Sequence, residues 1–512
     1  MDKPRAKDKG PMTPNITELK SKFETFNDIK TTSSLLYWDQ ATNLPINGGA
    51  ERARQIATLT KLGHDILVST DVGLMIADSY DWALNQNKDN EDAAFVREAK
   101  RLRDLESRIP GKLSMAMAQH FSAMYDAWAA LSPKNDFKSL QPFLEQSVNY
   151  SMEIASCFPE YNHPMDALIQ FSDPGTTTAV MREIFASLRK ELVPLVQKVR
   201  NSKQISRNCL QGDFDEASQM RFCRTVAETL GYDFRRGRID MSPHPFMTRL
   251  GGHDVRITTR VRRDDMTDCL FSVIHEVGHA LYEMGMRENL SGTILANGVS
   301  SGVHESQSRL WENRIGRGKP FWDYFYPILQ KEFPTFNHVS ADDFLRAINQ
   351  VEPGLIRVDA DELTYNLHVM IRFDLECDVL EGKLKIKDLP EAWNARYESD
   401  LGVKVSSLKD GCLQDVHWFS GPFGGSFQGY TIGNMLSAQI YEAALKDMPH
   451  MESEFSKGNF YDLRRWLCVK LHQWGSMLRP DELIKHATGE PLSSKAYMAY
   501  LNTKYRELYQ LS

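Results

Sequence analysis

Residues 273–282 read Val273-Ile274-His275-Glu276-Val277-Gly278-His279-Ala280-Leu281-Tyr282, and their spacing sets both a local fold and a chemistry. Apolar or small residues recur at Leu270, Phe271, Ile274, Val277, Gly278 and Leu281, which marks one face of a helix over 267–284. Asp265 or Thr267 suits its N-cap and Gly285 its end. His275 and His279 stand one turn apart, so both imidazoles leave the helix on the same side. Two ring nitrogens so placed can share one cation, and zinc takes imidazole nitrogen at about 2.0–2.1 Å in near-tetrahedral sites. Glu276 flanks that cation and can take a proton from an attacking water instead of binding the ion. The plain alternative is a pair of surface histidines on an amphipathic helix. The flanks Val273-Ile274 and Ala280-Leu281-Tyr282 argue for burial instead, where two histidines and a glutamate without partners would be costly.

A hydrolytic zinc site needs a third protein ligand and one open position. Downstream, Ser300-Ser301-Gly302-Val303-His304-Glu305-Ser306-Gln307 supplies a second helix start, with Ser300 or Ser301 as cap and a run to about Arg314. Glu305 falls in its early turns and faces the first helix, which gives a His-His-Glu set with the carboxylate on a separate helix. Taken alone, Glu305 reads as a carboxylate complementing the helix dipole. Beside the His275–His279 pair the ligand reading is preferred. His304, its neighbour, points differently and is placed behind the ligands.

The rest of the 512-residue chain reads mostly as helix. Apolar spacing of three and four predicts helices at 16–30, 50–65, 93–108, 112–131, 138–157, 178–201 and 214–230, and again at 341–350, 359–381, 390–400, 430–446, 460–475 and 494–509. The stretch 237–262 differs: Arg256-Ile257-Thr258-Thr259-Arg260-Val261 alternates and is β-branched, and with Arg238–Met241 it predicts a small hairpin. The fold class expected is mainly α, with one small β-sheet. Residues 1–15, charged and without an apolar core, read as a disordered leader, and 16–512 as one helical catalytic domain.

Net charge is −7 and no basic stripe stands out, which argues against nucleic acid. No run of 18 apolar residues exists, so no membrane span is expected. The 7 cysteines are widely spaced, odd in number and form no Cys-x-x-Cys, which fits unpaired thiols in a reducing cytoplasm.

Five motifs in order carry a resemblance to a known family. They are His244-Pro245-Phe246, Asp254-Val255-Arg256-Ile257-Thr258, the His275–His279 element with His304-Glu305-Ser306-Gln307, Ile356-Arg357-Val358-Asp359-Ala360-Asp361, and Gly411-Cys412-Leu413-Gln414-Asp415-Val416-His417-Trp418. Together they resemble the thermostable (Taq-type) metallocarboxypeptidases over the chain from about residue 16. The resemblance implies a helical metallopeptidase with a long active-site groove. It implies removal of single residues from peptide C-termini, and it implies a homodimer. Its metal ligands are His275, His279 and Glu305, holding Zn2+ or Co2+, and Glu276 is the general base. Arg256 and Arg357 are the arginines available for the substrate carboxylate, since guanidinium binds carboxylate bidentately. Each has a plainer role as a structural ion pair, for Arg357 with Asp359 or Asp361. His417 and Tyr430 are placed as donors to the oxyanion, His417 having the alternative of a buried histidine held by Asp415. His244 lines the groove or orders the hairpin.

One departure stands out: the family's FGYFPTYTLG is replaced by Phe423-Gly424-Gly425-Ser426-Phe427-Gln428-Gly429-Tyr430-Thr431-Ile432-Gly433, without the first tyrosine and one residue longer. Two other readings stay open from the sequence. One is a helical zinc oligopeptidase or dipeptidase; the other is a catalytically dead scaffold, which intact His275, Glu276, His279 and Glu305 disfavour.

Overall fold

The computed structural model describes residues 14–511. The expected leader lies almost wholly outside them. Among the described residues the chain is a helical assembly with a single three-stranded sheet, and no helix is long and apolar enough to cross a membrane.

The sheet corrects the expected hairpin. Strands β1 (Ile239–Met241), β2 (Met247–Gly251) and β3 (Asp254–Thr259) take the order β1-β3-β2. β1 and β3 are both in the sheet, but they run parallel. The antiparallel partner of β3 is β2, across a tight turn at Gly251–Asp254. Two alternating runs carry no information on strand direction, so a third strand between them in sequence escaped notice. The expected helices are present with shifted ends. The stretch 359–381 becomes a 3-10 turn at Arg357–Asp359 and a helix at Tyr365–Leu380. Helices at Thr70–Leu84, Pro164–Ile169 and Lys319–Glu332 were not anticipated.

Two large apolar cores meet at the functional residues. One gathers Ile274, Val277 and Leu281 of the helix Met266–Met284 with Val303, Trp311 and Phe325. The other gathers Leu367, Ile371 and Leu375 of Tyr365–Leu380 with Trp393, Trp418 and Phe427. The helix Gln428–Asp447 joins them: Leu436 and Ile440 belong to the first, Ile432 and Met435 to the second. A smaller third core packs the N-terminal helices against Leu290–Ala296 and Met477.

Candidate active site and metal centre

The helix Met266–Met284 starts where expected, with the Asp265 carboxylate accepting the Thr267 N–H at 2.9 Å. The second helix, Ser301–Arg309, starts at Ser300, whose hydroxyl accepts the Val303 N–H at 3.1 Å. The two cross at Gly278. A Cβ there would lie 2.6 Å from the backbone oxygen of Gln307 and the Cα of Ser308, so only glycine lets the backbones touch. That approach brings Glu305 over the two histidines. Its Oε2 lies 3.7 Å from His275 Nε2 and 3.5 Å from His279 Nε2, and the three donor atoms fall within 4.8 Å of one another. Ligands at about 2.0–2.1 Å around a tetrahedral zinc sit roughly 3.3–3.4 Å apart, so the set fits such an ion. Gly278→Ala is expected to push the helices apart. Overpacking of this kind costs about 1–3 kcal/mol, so calorimetry should show a lower Tm and chelator competition a weaker hold on zinc. An unchanged Tm would mean the crossing has slack.

Carboxylates and cations surround the triad. His275 Nδ1 meets Glu312 Oε2 at 2.9 Å, and His279 Nδ1 meets His304 Nδ1 at 2.6 Å. Arg309 donates to Glu305 Oε1 at 2.7 Å and to Glu312 at 3.2 Å. Burial works to raise Glu312, but Arg309, His275 and Arg317 together outweigh it and leave the carboxyl at about 2. Burial likewise opposes ionisation of Glu305, and Arg309 and His275 hold it well below the ordinary value. Burial takes His279 down to about 3, so its ring is neutral and ready to ligate. Burial lowers His275 too, but Glu305 and Glu312 outweigh it and raise it, the mark of a hole that favours positive charge. Glu276, 6% exposed, is pushed up to about 7 by burial.

The second core brings His417 and Tyr430 together. Asp415 Oδ1 accepts from His417 Nδ1 at 2.5 Å, and the Tyr430 hydroxyl lies 3.2 Å from His417 Nε2. Burial raises the Tyr430 phenol, so it is a proton donor across the neutral range. Arg357 is buried and ion-paired, but not with Asp359 or Asp361. Its Nε and one terminal nitrogen donate to Asp415 at 2.7 and 3.3 Å, and the other donates to the Tyr365 hydroxyl at 3.0 Å. Arg372 donates to the same Asp415 at 2.8 Å. Tyr365 links this group to the triad, since the Arg309 guanidinium lies 4.6 Å over its ring and the Tyr430 ring 6.2 Å from it.

Arg256 and His244 lie with the sheet. Arg256 pairs with Asp254 at 2.8 Å and stacks 4.3 Å over Trp38 of the first helix. His244 is exposed, and its backbone oxygen accepts from the Ser242 hydroxyl at 2.7 Å. Neither forms a hydrogen bond or ion pair with the triad or Tyr430 among the described residues. The altered loop before Tyr430 turns at Gly424 and Gly425, with φ of 107° and 82°, conformations that L side chains rarely adopt.

Sequence reasoning missed Glu312, Arg309, Tyr365 and Arg372. It also missed Asp173, a buried carboxylate that accepts the Gly302 N–H at 2.7 Å and the Gln428 amide at 3.0 Å. It thereby ties the starts of the Glu305 and Tyr430 helices together. Arg309 follows Glu305 at ordinary helical spacing, but Glu312 falls in a π-helical turn at Leu310–Ile315, which breaks that spacing. Asp173 comes from a distant segment and had no local signal.

This geometry agrees with what the chain is similar to. The sequence profile of the carboxypeptidase Taq (M32) metallopeptidases matches residues 18–505. Thermostable carboxypeptidase 1 of Thermus thermophilus is 37% identical over 491 residues, covering 94% of this chain and 96% of that protein. Carboxypeptidase 1 of Bacillus subtilis is 37% identical over 480 residues, 93% of this chain and 95% of that one. Among solved structures, the M32 carboxypeptidase of Deinococcus radiodurans superposes with a TM-score of 0.93 at 44% identity, covering 96% of this chain and 99% of that one. With a His-His-Glu metal site inside a match that spans both helical cores, the chain belongs to the carboxypeptidase Taq (M32) family and is a metal-dependent carboxypeptidase.

Proposed function

We propose that His275, His279 and Glu305 hold Zn2+, that Glu276 is the general base, and that His417 and Tyr430 serve the oxyanion. The convergence of two imidazole nitrogens on one carboxylate oxygen at 3.7 and 3.5 Å carries this reading. These three residues would hold a divalent ion, which would supply Lewis-acid polarisation of the scissile carbonyl and a more acidic attacking water. Co2+ suits the same donors, and availability decides between them. Glu276 takes the proton of the water and later delivers it to the leaving amine. Asp415 accepts from His417 Nδ1 and orients the ring toward Tyr430. The Tyr430 hydroxyl and His417 then face the carbonyl oxygen as it gains charge.

The substrate is a peptide with a free C-terminal carboxylate. We assign that carboxylate to Arg357 in preference to Arg256. Arg357 lies 5.1 Å from the Tyr430 ring, and three bonds leave two of its five N–H groups uncommitted. Arg256 stands on the sheet, paired with Asp254, and with His244 it is left as a secondary contact for the peptide. The working unit is a homodimer of one catalytic domain per chain, as the family resemblance implies. The 7 free cysteines fit the reducing cytoplasm.

Mass spectrometry of a peptide digest tests the reading. One-residue steps from the C-terminus are expected, lost on chelation and restored by zinc, with a C-terminally amidated peptide left intact. Cleavage of the amide at a similar rate would favour the oligopeptidase alternative.

A further inference from the structure

The helix that carries His275 and His279 places a third polar residue on the same side. Glu283 lies one turn past His279, as His279 lies one turn past His275. Glu283 is 5% exposed, so its carboxylate needs partners. Its Oε1 meets His304 Nε2 at 2.9 Å, and His304 Nδ1 meets His279 Nδ1 at 2.6 Å. The Gly298 N–H adds a longer bond to Oε1 at 3.3 Å. Its Oε2 faces Arg249 Nε at 3.4 Å, and the Arg249 side chain, from β2, is buried as well.

The protons on this row have one consistent arrangement. His279 turns Nε2 toward Glu305, so as a neutral ligand it carries its proton on Nδ1. A nitrogen–nitrogen contact of 2.6 Å holds a single proton between its two ends. His304 therefore accepts at Nδ1 and keeps its own proton on Nε2, where Glu283 accepts it. The other histidine differs: His275 Nδ1 reaches a carboxylate directly, at Glu312. On the Nδ1 side of His279 the first carboxylate lies one imidazole further out.

Resting on the ligand assignment above, we propose that Glu283 is a positioning residue of the metal centre: through His304 it fixes the tautomer and ring orientation of His279, with Arg249 of β2 as its counter-charge. Carboxylates behind metal-bound histidines are worth about 10–100-fold in metal affinity. The row transmits that effect through an intervening ring, and the ring comes from the residue next to the third ligand.

Zinc affinity, measured by competition with a chromophoric chelator, tests the relay. Wild type, Glu283→Gln, His304→Phe and the double variant are compared, with circular dichroism of each metal-free chain. Each single change is expected to weaken zinc binding about 10–100-fold, and the double variant no further than the weaker single, because both break one path. KM for a peptide at saturating zinc is expected to stay within about twofold, since neither residue touches the substrate. If Glu283→Gln does not fold, Glu283→Asp, which keeps the charge and withdraws the oxygen, takes its place with the same expectation. Wild-type zinc affinity in the glutamate variant, or losses that multiply in the double variant, would overturn the relay. A wild-type chain that takes up no zinc would sink the ligand assignment itself, and the relay with it.

Discussion

Glu276→Gln is expected to keep the metal and lower kcat by about 10³-fold, within the 10²–10⁴ that a positioned base contributes. The side chain is 6% exposed on a helix packed on all sides, and glutamine has nearly the same shape. Metal content should therefore be unchanged by mass spectrometry. What is lost is a basic oxygen beside the attacking water, and that oxygen matters more in the transition state than in the bound substrate. kcat and kcat/KM are then expected to fall together, with KM steady. A variant with wild-type kcat would remove Glu276 from the reaction, and one that loses its metal would show that Glu276 shapes the site instead.

Asp415→Asn is expected to cost about 3–5 kcal/mol of stability, the range for breaking a buried ion pair by removing one partner. Asp415 is 5% exposed and accepts from Arg357, Arg372 and His417 at 2.7, 2.8 and 2.5 Å. An amide there leaves two buried guanidinium groups without their counter-charge. Burial opposes the ionised form of Asp415, but His417 and the two arginines outweigh it and hold the carboxyl far below its ordinary value. Its contribution is therefore fully present above the unfolded value of about 3.9 and is lost as the pH falls, because the unfolded chain takes up the proton first. The gap in Tm between wild type and variant is expected to be wide at pH 7 and to narrow below about pH 4. A gap that stays constant down to pH 3 would contradict the ion-pair account. kcat should fall as well, since His417 loses the group that fixes its ring.

The triad was legible because its information is local. His275 and His279 share a helix face, and Glu305 follows a serine cap, so spacing alone brings two elements of the site into view. Of the supporting groups, His304 and Asp415 were named from the sequence, and Glu283, Arg309, Glu312 and Asp173 were passed over. Glu283 repeats the four-residue step of the histidines and needed only one more turn of the same helix. Glu312 lies beyond a change of helical pitch. The Asp415–His417 contact spans two residues and was legible, but Asp173, and Asp415 toward Arg357 and Arg372, act on partners more than 40 residues away, through packing that no periodicity encodes. Strand direction failed for the same reason: β1 and β3 run parallel because β2 takes the other edge of β3, a fact about the sheet and not about either run. Arg357 was singled out from the sequence, but its ion-pair partner came from the Gly411–Trp418 motif and not from its own neighbourhood.

The central claim is that His275, His279 and Glu305 hold the catalytic ion. Anomalous diffraction at the zinc edge, on crystals of the zinc-loaded protein, tests it directly. The account predicts one strong peak per chain, about 2.0–2.2 Å from His275 Nε2, His279 Nε2 and a Glu305 oxygen, with His304 outside bonding distance. A peak ligated by His304, or a zinc-loaded active enzyme with no peak between these three residues, would contradict it.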